Sequence, residues 1–169
     1  MIEQIVSGGQ TGVDQAALLI AKELGIPIGG WCPKGGFDEN QQCVSGKYSL
    51  REASTENPDE RTRLNIDDSD GTLIIVPSLP IPDHITDGTN LTISYAEEQS
   101  KPNLIISLAD EYDDSIESIK LWVAEHEIKI LNVAGPRESS CPGINHSASS
   151  LFLKLFPALK NSSTCGYSF

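Results

Sequence analysis

The chain has 169 residues, of which 38% are hydrophobic and 21% are charged. This composition is typical of a globular protein, and the length suits one domain whose sheet is covered on both faces. Twelve basic residues stand against 24 acidic ones, which gives a formal net charge of -12. Such a surface repels nucleic acids and anionic membranes at long range, and no apolar run approaches the roughly 20 residues that span a bilayer. We therefore expect neither nucleic acid nor membrane as a partner.

The N-terminal sequence and the cysteines favour a cytoplasmic protein. The start, MIEQIVSGG, lacks the basic and long apolar regions of a secretory signal. We therefore expect one domain over residues 1–169 in a reducing compartment, with Cys32, Cys43, Cys141 and Cys165 as free thiols. The cysteines form no CxxC pair and the three histidines are scattered, so no protein-held metal site is predicted.

The first part of the chain predicts a strand, a helix and a second strand. Residues 2–6 form a short strand, and residues 13–24 carry apolar side chains at helical spacing, with Gly25 as the C-terminal cap. Residues 26–30 form the second strand. The following segment, 32–56, is polar and weakly patterned, which predicts a long loop with a small strand near residues 48–51.

The rest of the chain alternates between helices and strands. Asn57 as N-cap and Pro58 at the first helical position begin a helix that should end by Gly71. The run TLIIV, residues 72–76, is continuously apolar, as in a strand buried on both faces of a parallel sheet. The pattern therefore predicts an α/β, doubly wound, Rossmann-like and mainly parallel sheet with helices on both faces. The remaining predicted elements are helices at 89–100, 113–126 and 148–159 and strands at 103–107 and 128–133.

Glycine-rich segments follow four of the five predicted strands, at residues 7–12, 32–36, 87–90 and 135–139. In a doubly wound sheet, ligands bind beyond the carboxyl ends of the strands. Glycines at these positions allow an oxyanion to approach the unpaired N–H groups at a helix N-terminus. We therefore expect a phosphate or similar anion site at this edge, in preference to a set of simple tight turns.

The candidate ligand-binding residues come from these loops and from the nearby basic residues. The loop residues offer backbone N–H groups and short polar side chains, and the basic residues can pair with phosphate. Asp14 is expected only to stabilise the first turn of its helix. The candidates are Ser7, Gly8, Gly9, Gln10, Thr11, Gly12, Lys34, Arg61, Gly88, Thr89, Asn90, Arg137 and Glu138.

Two common nucleotide motifs do not match. A P-loop closes with GK[ST], whereas Gly12 is followed by Val13 and Asp14. Only two of the three glycines of the dinucleotide pattern G-x-G-x-x-G are present. The acidic residue that this pattern expects at the end of the second strand is absent. A nicotinamide dinucleotide is therefore not expected.

The segments V6SGGQTGVD14, W31CPKG35, S69DGTLI74, D87GT89 and L131NVAGPRES139 resemble the molybdenum carrier family. This family is similar to a circularly permuted YpsA-like branch of the SLOG superfamily of Rossmann-like proteins, which also contains the lonely-guy phosphoribohydrolases. The resemblance implies a ligand site built from residues 7–12 with Gly88 and Thr89. It also implies a homo-oligomer and, as ligand, the molybdenum cofactor or a related phosphate-bearing pterin or nucleotide. The pterin dithiolene of that cofactor would itself hold the metal.

Two functions remain open on this resemblance. The first is a carrier or sensor that binds a phosphate-bearing small molecule. The second is an enzyme that hydrolyses or modifies a nucleotide-derived ligand, as the lonely-guy enzymes do. Arg61 matches the arginine of those enzymes, but Thr92 stands where their P-G-G-x-G-T-x-x-E motif places a glutamate. Because no obvious base remains, we assign no catalytic residue, and Thr92 joins the candidate binding residues.

Overall fold

The structure is a computed structural model that describes residues 1–86 and 88–160. Seven strands and six helices follow one another in these ranges. The strands are β1 (Gln4–Val6), β2 (Ile28–Gly29), β3 (Trp31–Cys32), β4 (Arg51–Glu52), β5 (Gly71–Val76), β6 (Asn103–Ser107) and β7 (Ile130–Ala134). The helices are α1 (Val13–Glu23), α2 (Val44–Tyr48), α3 (Pro58–Asp67), α4 (Thr89–Glu98), α5 (Tyr112–Glu125) and α6 (Ile144–Lys160).

Five strands form one sheet in the order β2-β1-β7-β5-β6, and every neighbouring pair is parallel. The predicted α/β, doubly wound, Rossmann-like architecture is confirmed. β5 is buried along its whole length, as its continuous apolar sequence predicts. The carboxyl ends of the strands therefore meet at one edge of the sheet, where the strand-to-helix loops begin.

Helices cover both faces of this sheet. One face packs against α1, α5 and α6, and its core contains Leu73 and Ile75 of β5 with Leu131 and Val133 of β7. The alternate residues of β5 point to the other face, where α3 and α4 pack against each other. No helix within residues 1–86 and 88–160 is long and apolar enough to cross a membrane.

The strand predicted at residues 26–30 is present but shorter than expected. β2 has two residues, and the chain then passes through Gly30 at φ 123° into β3, which pairs with β4 in a separate two-stranded sheet. A Cβ at Gly30 would lie 2.3 Å from the carbonyl oxygen of Ser7, so the chain can turn here only at a glycine.

Segment 32–56 is more ordered than a long loop. It contains α2, whose Val44 and Tyr48 pack with Leu18, Cys32 and Leu50 in a second small core. The predicted strand near 48–51 is shifted, because residue 48 still belongs to α2 and β4 begins at Arg51. The sequence did not predict this helix, because the segment is polar and the helix has only five residues.

The other element boundaries agree to within a few residues. The Asn57 side chain accepts a hydrogen bond from the Asp59 N–H at 3.0 Å, which confirms the predicted N-cap of α3. This helix ends at Asp67, four residues before Gly71, because β5 already begins at that glycine.

Candidate functional site

Three segments meet at the carboxyl edge of the sheet and line a cleft. They are the loop after β1, the loop after β7 and the start of α4, and the first turn of α3 forms the opposite wall. The Glu138 N–H donates a hydrogen bond to Thr11 Oγ1 at 3.1 Å, which joins the first two loops. The cleft is narrow, with a cavity volume of about 30 Å³. Its lining residues are Gln10, Asp14, Arg61, Thr62, Gly88, Thr89, Thr92, Ala134, Gly135 and Arg137.

An ion pair between Arg61 and Asp14 lies in the wall of the cleft. Arg61 Nη1 donates to Asp14 Oδ2 at 3.1 Å, and the two side chains are only 13% and 4% exposed. The Gln10 N–H donates to the same Asp14 oxygen at 3.2 Å. Burial raises the pKa of Asp14 above its ordinary value, although the Arg61 charge opposes this shift. The cleft thus contains a buried carboxylate whose charge is balanced mainly by Arg61.

Arg61 has a second nitrogen that the protein does not satisfy. Its Nε is buried and has no hydrogen-bond partner within the described part of the chain. The side chain also lines an inner recess that adjoins the cleft and includes Gly8, Thr92 and Asn132. A buried N–H donor without an acceptor costs about 1–3 kcal/mol, and more when the group is charged. The arrangement is therefore suited to an incoming acceptor such as an oxyanion.

The position of Arg61 explains why residue 8 is a glycine. A Cβ at residue 8 would lie 1.6 Å from Arg61 Nη1, so the guanidinium lies directly against the glycine backbone. Any larger residue would displace the guanidinium from Asp14 and from the cleft.

The N-terminus of α4 opens into the cleft. Gly88 is its N-cap and provides no side-chain hydrogen bond to the first turn. Thr92 is 3% exposed and donates its hydroxyl proton to the Gly88 carbonyl at 2.8 Å. The positive end of a helix dipole favours negative charge at such an end. Asp87, which precedes this helix, lies outside the described residues.

Arg137 brings a second guanidinium to the cleft, and Glu39 lies beside it. Arg137 Nη1 is 3.8 Å from Glu39 Oε2. The Glu39 carboxylate also accepts hydrogen bonds from the hydroxyls of Thr11 and Ser139. Burial opposes ionisation of Glu39, but these hydrogen bonds outweigh it and lower its pKa below the ordinary value. Each cleft arginine thus lies next to an ionised or ionisable carboxylate.

Several N–H groups at the start of α1 are bonded within the protein itself. The Thr11 N–H donates to its neighbour's side-chain oxygen, Gln10 Oε1, at 3.0 Å, and the Val13 N–H donates to the Pro136 carbonyl at 3.3 Å. The Gln10 N–H is taken by Asp14, as described above. The N–H groups of Gln10, Thr11 and Val13 therefore already have acceptors within the protein.

Gly9 and Gly12 are required by packing. Both have positive φ, 76° and 80°. A Cβ at Gly9 would lie 2.6 Å from Leu50 Cδ1, and one at Gly12 would lie 2.3 Å from the Pro136 carbonyl oxygen. The close approach at these two glycines is thus made by other parts of the chain.

Several other predicted binding residues lie outside the cleft lining. Ser7 is fully buried and donates to the Val133 carbonyl at 2.6 Å, while the Glu138 carboxylate accepts the N–H groups of Gly143 and Asn145 at the start of α6. The side chains of Lys34 and Asn90 are exposed and do not line the cleft. The predicted residues that the structure does bring together there are Gln10, Arg61, Gly88, Thr89, Thr92 and Arg137, with Gly8 in the inner recess.

The sequence prediction missed two acidic residues at this site. Asp14 was assigned to the first turn of a helix, and its burial against Arg61 depends on a contact across 47 residues. Glu39 lies in the weakly patterned segment, and no local signal points to it. Both positions become recognisable only when the loops are assembled.

A larger hollow, with a cavity volume of about 350 Å³, is lined in part by Asn65. Its lining is mixed and includes Trp31, Arg51 and Asp68. Arg51 lies over the Trp31 ring at 4.1 Å and pairs with Asp68 at 2.9 Å, so these polar groups satisfy one another. The predicted phosphate-binding loops do not reach this hollow, and we place the candidate site in the smaller cleft.

Within the described ranges, no group of three or more His, Cys, Asp or Glu side chains is placed to hold a metal ion. Cys32, Cys43 and Cys141 are free thiols, as predicted, and Cys165 lies outside the described residues.

Comparison with known proteins identifies relatives over most of the chain. The model of the circularly permuted YpsA SLOG family matches residues 5–156. The chain is also similar to the "Putative molybdenum carrier protein" of Syntrophus aciditrophicus SB, whose crystal structure was determined at 1.45 Å resolution. The two share 41% sequence identity with a TM-score of 0.83, over 92% of this chain and 94% of that one. No curated protein matches the sequence.

Proposed function

Because the chain belongs to the circularly permuted YpsA SLOG family, we propose that it binds a small phosphate-bearing molecule in the cleft and acts as a carrier or sensor for it. The observation that carries this proposal is the buried Nε of Arg61, which has no hydrogen-bond partner among the described residues and lies in a cleft that the start of α4 also lines. A phosphate oxygen would accept that N–H, and the helix end would stabilise its negative charge.

The molybdenum cofactor is the ligand that we propose first, since the similar structure is named as a molybdenum carrier. The guanidinium groups of Arg61 and Arg137 suit the phosphate end of such a pterin, and the start of α4 lies in the same cleft. The dithiolene of the pterin would supply the metal ligands. Native mass spectrometry of the purified protein tests this identity, because a retained ligand would give its mass directly.

Hydrolysis of a nucleotide-derived ligand is the second candidate function. Thr92 occupies the place of the lonely-guy glutamate, and its hydroxyl is already bonded to Gly88, so α4 supplies no carboxylate. Asp14 supplies a carboxylate in the lining of the cleft, so hydrolysis remains a candidate function. Incubation with nucleoside monophosphates, followed by chromatography for a released base, would distinguish an enzyme from a binding protein.

The replacement of Arg61 by lysine tests the proposed site. Lysine keeps the positive charge but lacks Nε and the planar fork, so it cannot satisfy the same acceptor geometry. We expect Arg61→Lys to weaken binding of methyl phosphate at least tenfold in isothermal titration calorimetry.

Arg63→Lys is the matched control for this experiment. Arg63 lies on the same helix, is exposed, and faces the Tyr95 ring at 5.7 Å. Its replacement should change the affinity less than twofold. An equal loss in both variants would indicate a general charge effect and would refute the assignment of the ligand to Arg61.

We also propose a cytoplasmic location and a homo-oligomeric state, on the grounds given from the sequence. Size-exclusion chromatography with light scattering would measure the latter, and a monomer at micromolar concentration would contradict it.

A further inference from the structure

We propose that Glu39 is a positioning residue of the cleft, whose carboxylate orients the Arg137 guanidinium towards the ligand without contacting the ligand itself. This inference rests on the proposed function, since Arg137 lines the same cleft. Glu39 does not line the cleft, and its Oε2 lies 3.8 Å from Arg137 Nη1. Glu39 therefore acts on a bound ligand through Arg137.

The carboxylate of Glu39 is fixed in place by its neighbours. Its Oε2 accepts the Ser139 hydroxyl at 2.5 Å, and its Oε1 accepts the Ser139 N–H at 3.2 Å and the Thr11 hydroxyl. The main chain of Glu39 is held as well, because its N–H donates to Gln10 Oε1 at 2.9 Å. Burial opposes ionisation, but the hydrogen bonds from Ser139 and Thr11 lower the pKa of Glu39, so the carboxylate is charged at neutral pH.

The side chain of Arg137 gains most from such a fixed charge. The Arg137 carbonyl accepts the N–H groups of Ser140 and Cys141 at 3.2 and 3.1 Å, so the backbone is held. The side chain is long and 30% exposed, and its direction depends on the groups around it. Ordering a flexible side chain at the moment of binding reduces the affinity, whereas a side chain that is already oriented avoids that loss.

The distance between the two side chains suits orientation. Hydrogen bonds of this type have donor–acceptor distances of about 2.7–3.2 Å, and the Glu39 and Arg137 atoms are 3.8 Å apart. The carboxylate therefore attracts the guanidinium electrostatically without accepting one of its N–H groups. Arg61 differs in this respect, because it donates a hydrogen bond to Asp14 at 3.1 Å.

The sign of a change in affinity separates positioning from simple repulsion. A carboxylate near an anion site repels the anion, so removal of its charge would by itself strengthen binding. Loss of the orientation of Arg137 weakens binding instead. A contact that supports only the fold would change Tm and leave the affinity of the folded protein as it is.

Glu39→Gln tests the role of the charge. The amide has nearly the size of the carboxyl group, and its oxygen can still accept the Thr11 hydroxyl, but it presents no charge to Arg137. We expect the affinity for methyl phosphate, measured by isothermal titration calorimetry at neutral pH, to fall at least threefold. In the unliganded variant, nitrogen-15 relaxation should show a lower order parameter for the Arg137 Nε–H group, with that of Arg61 unchanged.

Glu52→Gln is the matched control. Glu52 is exposed in β4, does not line the cleft, and accepts the Gly35 N–H at 2.9 Å. Its replacement removes the same charge and should change the affinity less than twofold.

Ser139→Ala tests the same idea without removing a charge. It deletes the hydroxyl that fixes the Glu39 carboxylate, so it should weaken methyl phosphate binding twofold or more and lower the Arg137 order parameter. Circular dichroism checks that both variants are folded. If Glu39→Gln does not fold, the two measurements on Ser139→Ala decide the question.

The outcomes are distinguishable. A weaker affinity together with a more mobile Arg137 supports the inference. An unchanged or higher affinity, or a weaker affinity with the Arg137 order parameter unchanged, overturns the inference and leaves the phosphate site intact. Absence of methyl phosphate binding by the unmodified protein at millimolar concentration overturns the proposed function, and the inference with it.

Discussion

Replacement of Gly12 by alanine should destabilise the fold through a contact that the structure defines. Gly12 has φ 80°, and a Cβ there would lie 2.3 Å from the Pro136 carbonyl oxygen and 2.9 Å from backbone atoms of Arg137. The left-handed conformation costs about 1 kcal/mol for alanine. The overlap with backbone atoms adds about 1–3 kcal/mol, as other overpacked sites do. We therefore expect a loss of about 2–4 kcal/mol in the free energy of unfolding.

Gly143 provides the matched control for this experiment. It has φ 89°, and a Cβ there would meet no heavy atom within 4 Å. Gly143→Ala should therefore cost only the conformational term of about 1 kcal/mol. In a protein of this size each kcal/mol lowers Tm by about 2–4 °C, so Gly12→Ala should lose about 4–16 °C and Gly143→Ala about 2–4 °C.

Thermal unfolding followed by circular dichroism, in buffer without phosphate, measures both losses. An equal decrease in Tm in the two variants would refute the reasoning. The loop after β7 would then adjust to the new methyl group with no loss of stability. The requirement for glycine at position 12 would in that case have to come from a ligand.

Two further changes test the contacts that position α3, which carries Arg61. The Asn65 amide accepts the Trp31 N–H at 2.8 Å and donates to the Trp31 carbonyl at 2.9 Å. Asn65→Ala leaves both Trp31 groups unpaired and should lower the free energy of unfolding by about 2–4 kcal/mol. Urea unfolding measures this loss. Glu60 accepts hydrogen bonds from Ser54 and Thr55, which lower its pKa from 4.5 to about 2. This contribution to stability is present above pH 4.5 and is lost as the pH falls towards 2. The difference in Tm between the unmodified protein and Glu60→Gln should therefore shrink over that range, and a constant difference would contradict the pKa.

The predictable part of the site came from local sequence. Asn57 and Pro58 fix the start of α3, and Arg61 follows within its first turn. An apolar run predicts the strand β5, and a Gly-Thr pair predicts the start of α4 at Thr89. Each of these signals involves only a few consecutive residues. Because parallel strands end at one edge, this local information was enough to place Arg61, Thr89, Thr92 and Arg137 near one another.

The glycines show where local sequence was insufficient. Three glycines in five residues indicate that something approaches the backbone, but they do not identify it. In the structure Arg61 approaches Gly8, Leu50 approaches Gly9 and Pro136 approaches Gly12. These partners are 41 to 124 residues away in sequence, as the residue numbers show. No short-range pattern distinguishes such a contact from a bound ligand.

The sequence by itself determined the order of helices and strands, the parallel sheet and the edge at which a ligand would bind. It did so because helix caps, apolar periodicity and turn residues act between near neighbours. Only the tertiary structure decided which helix start lines the cleft and which acid faces Arg61. The loop after β7 accepts the Val13 N–H of α1, the start of α4 lines the cleft, and Asp14 becomes a buried partner of Arg61. Burial and charge pairing at these positions depend on groups brought together from distant parts of the chain, and the sequence alone does not give their distances.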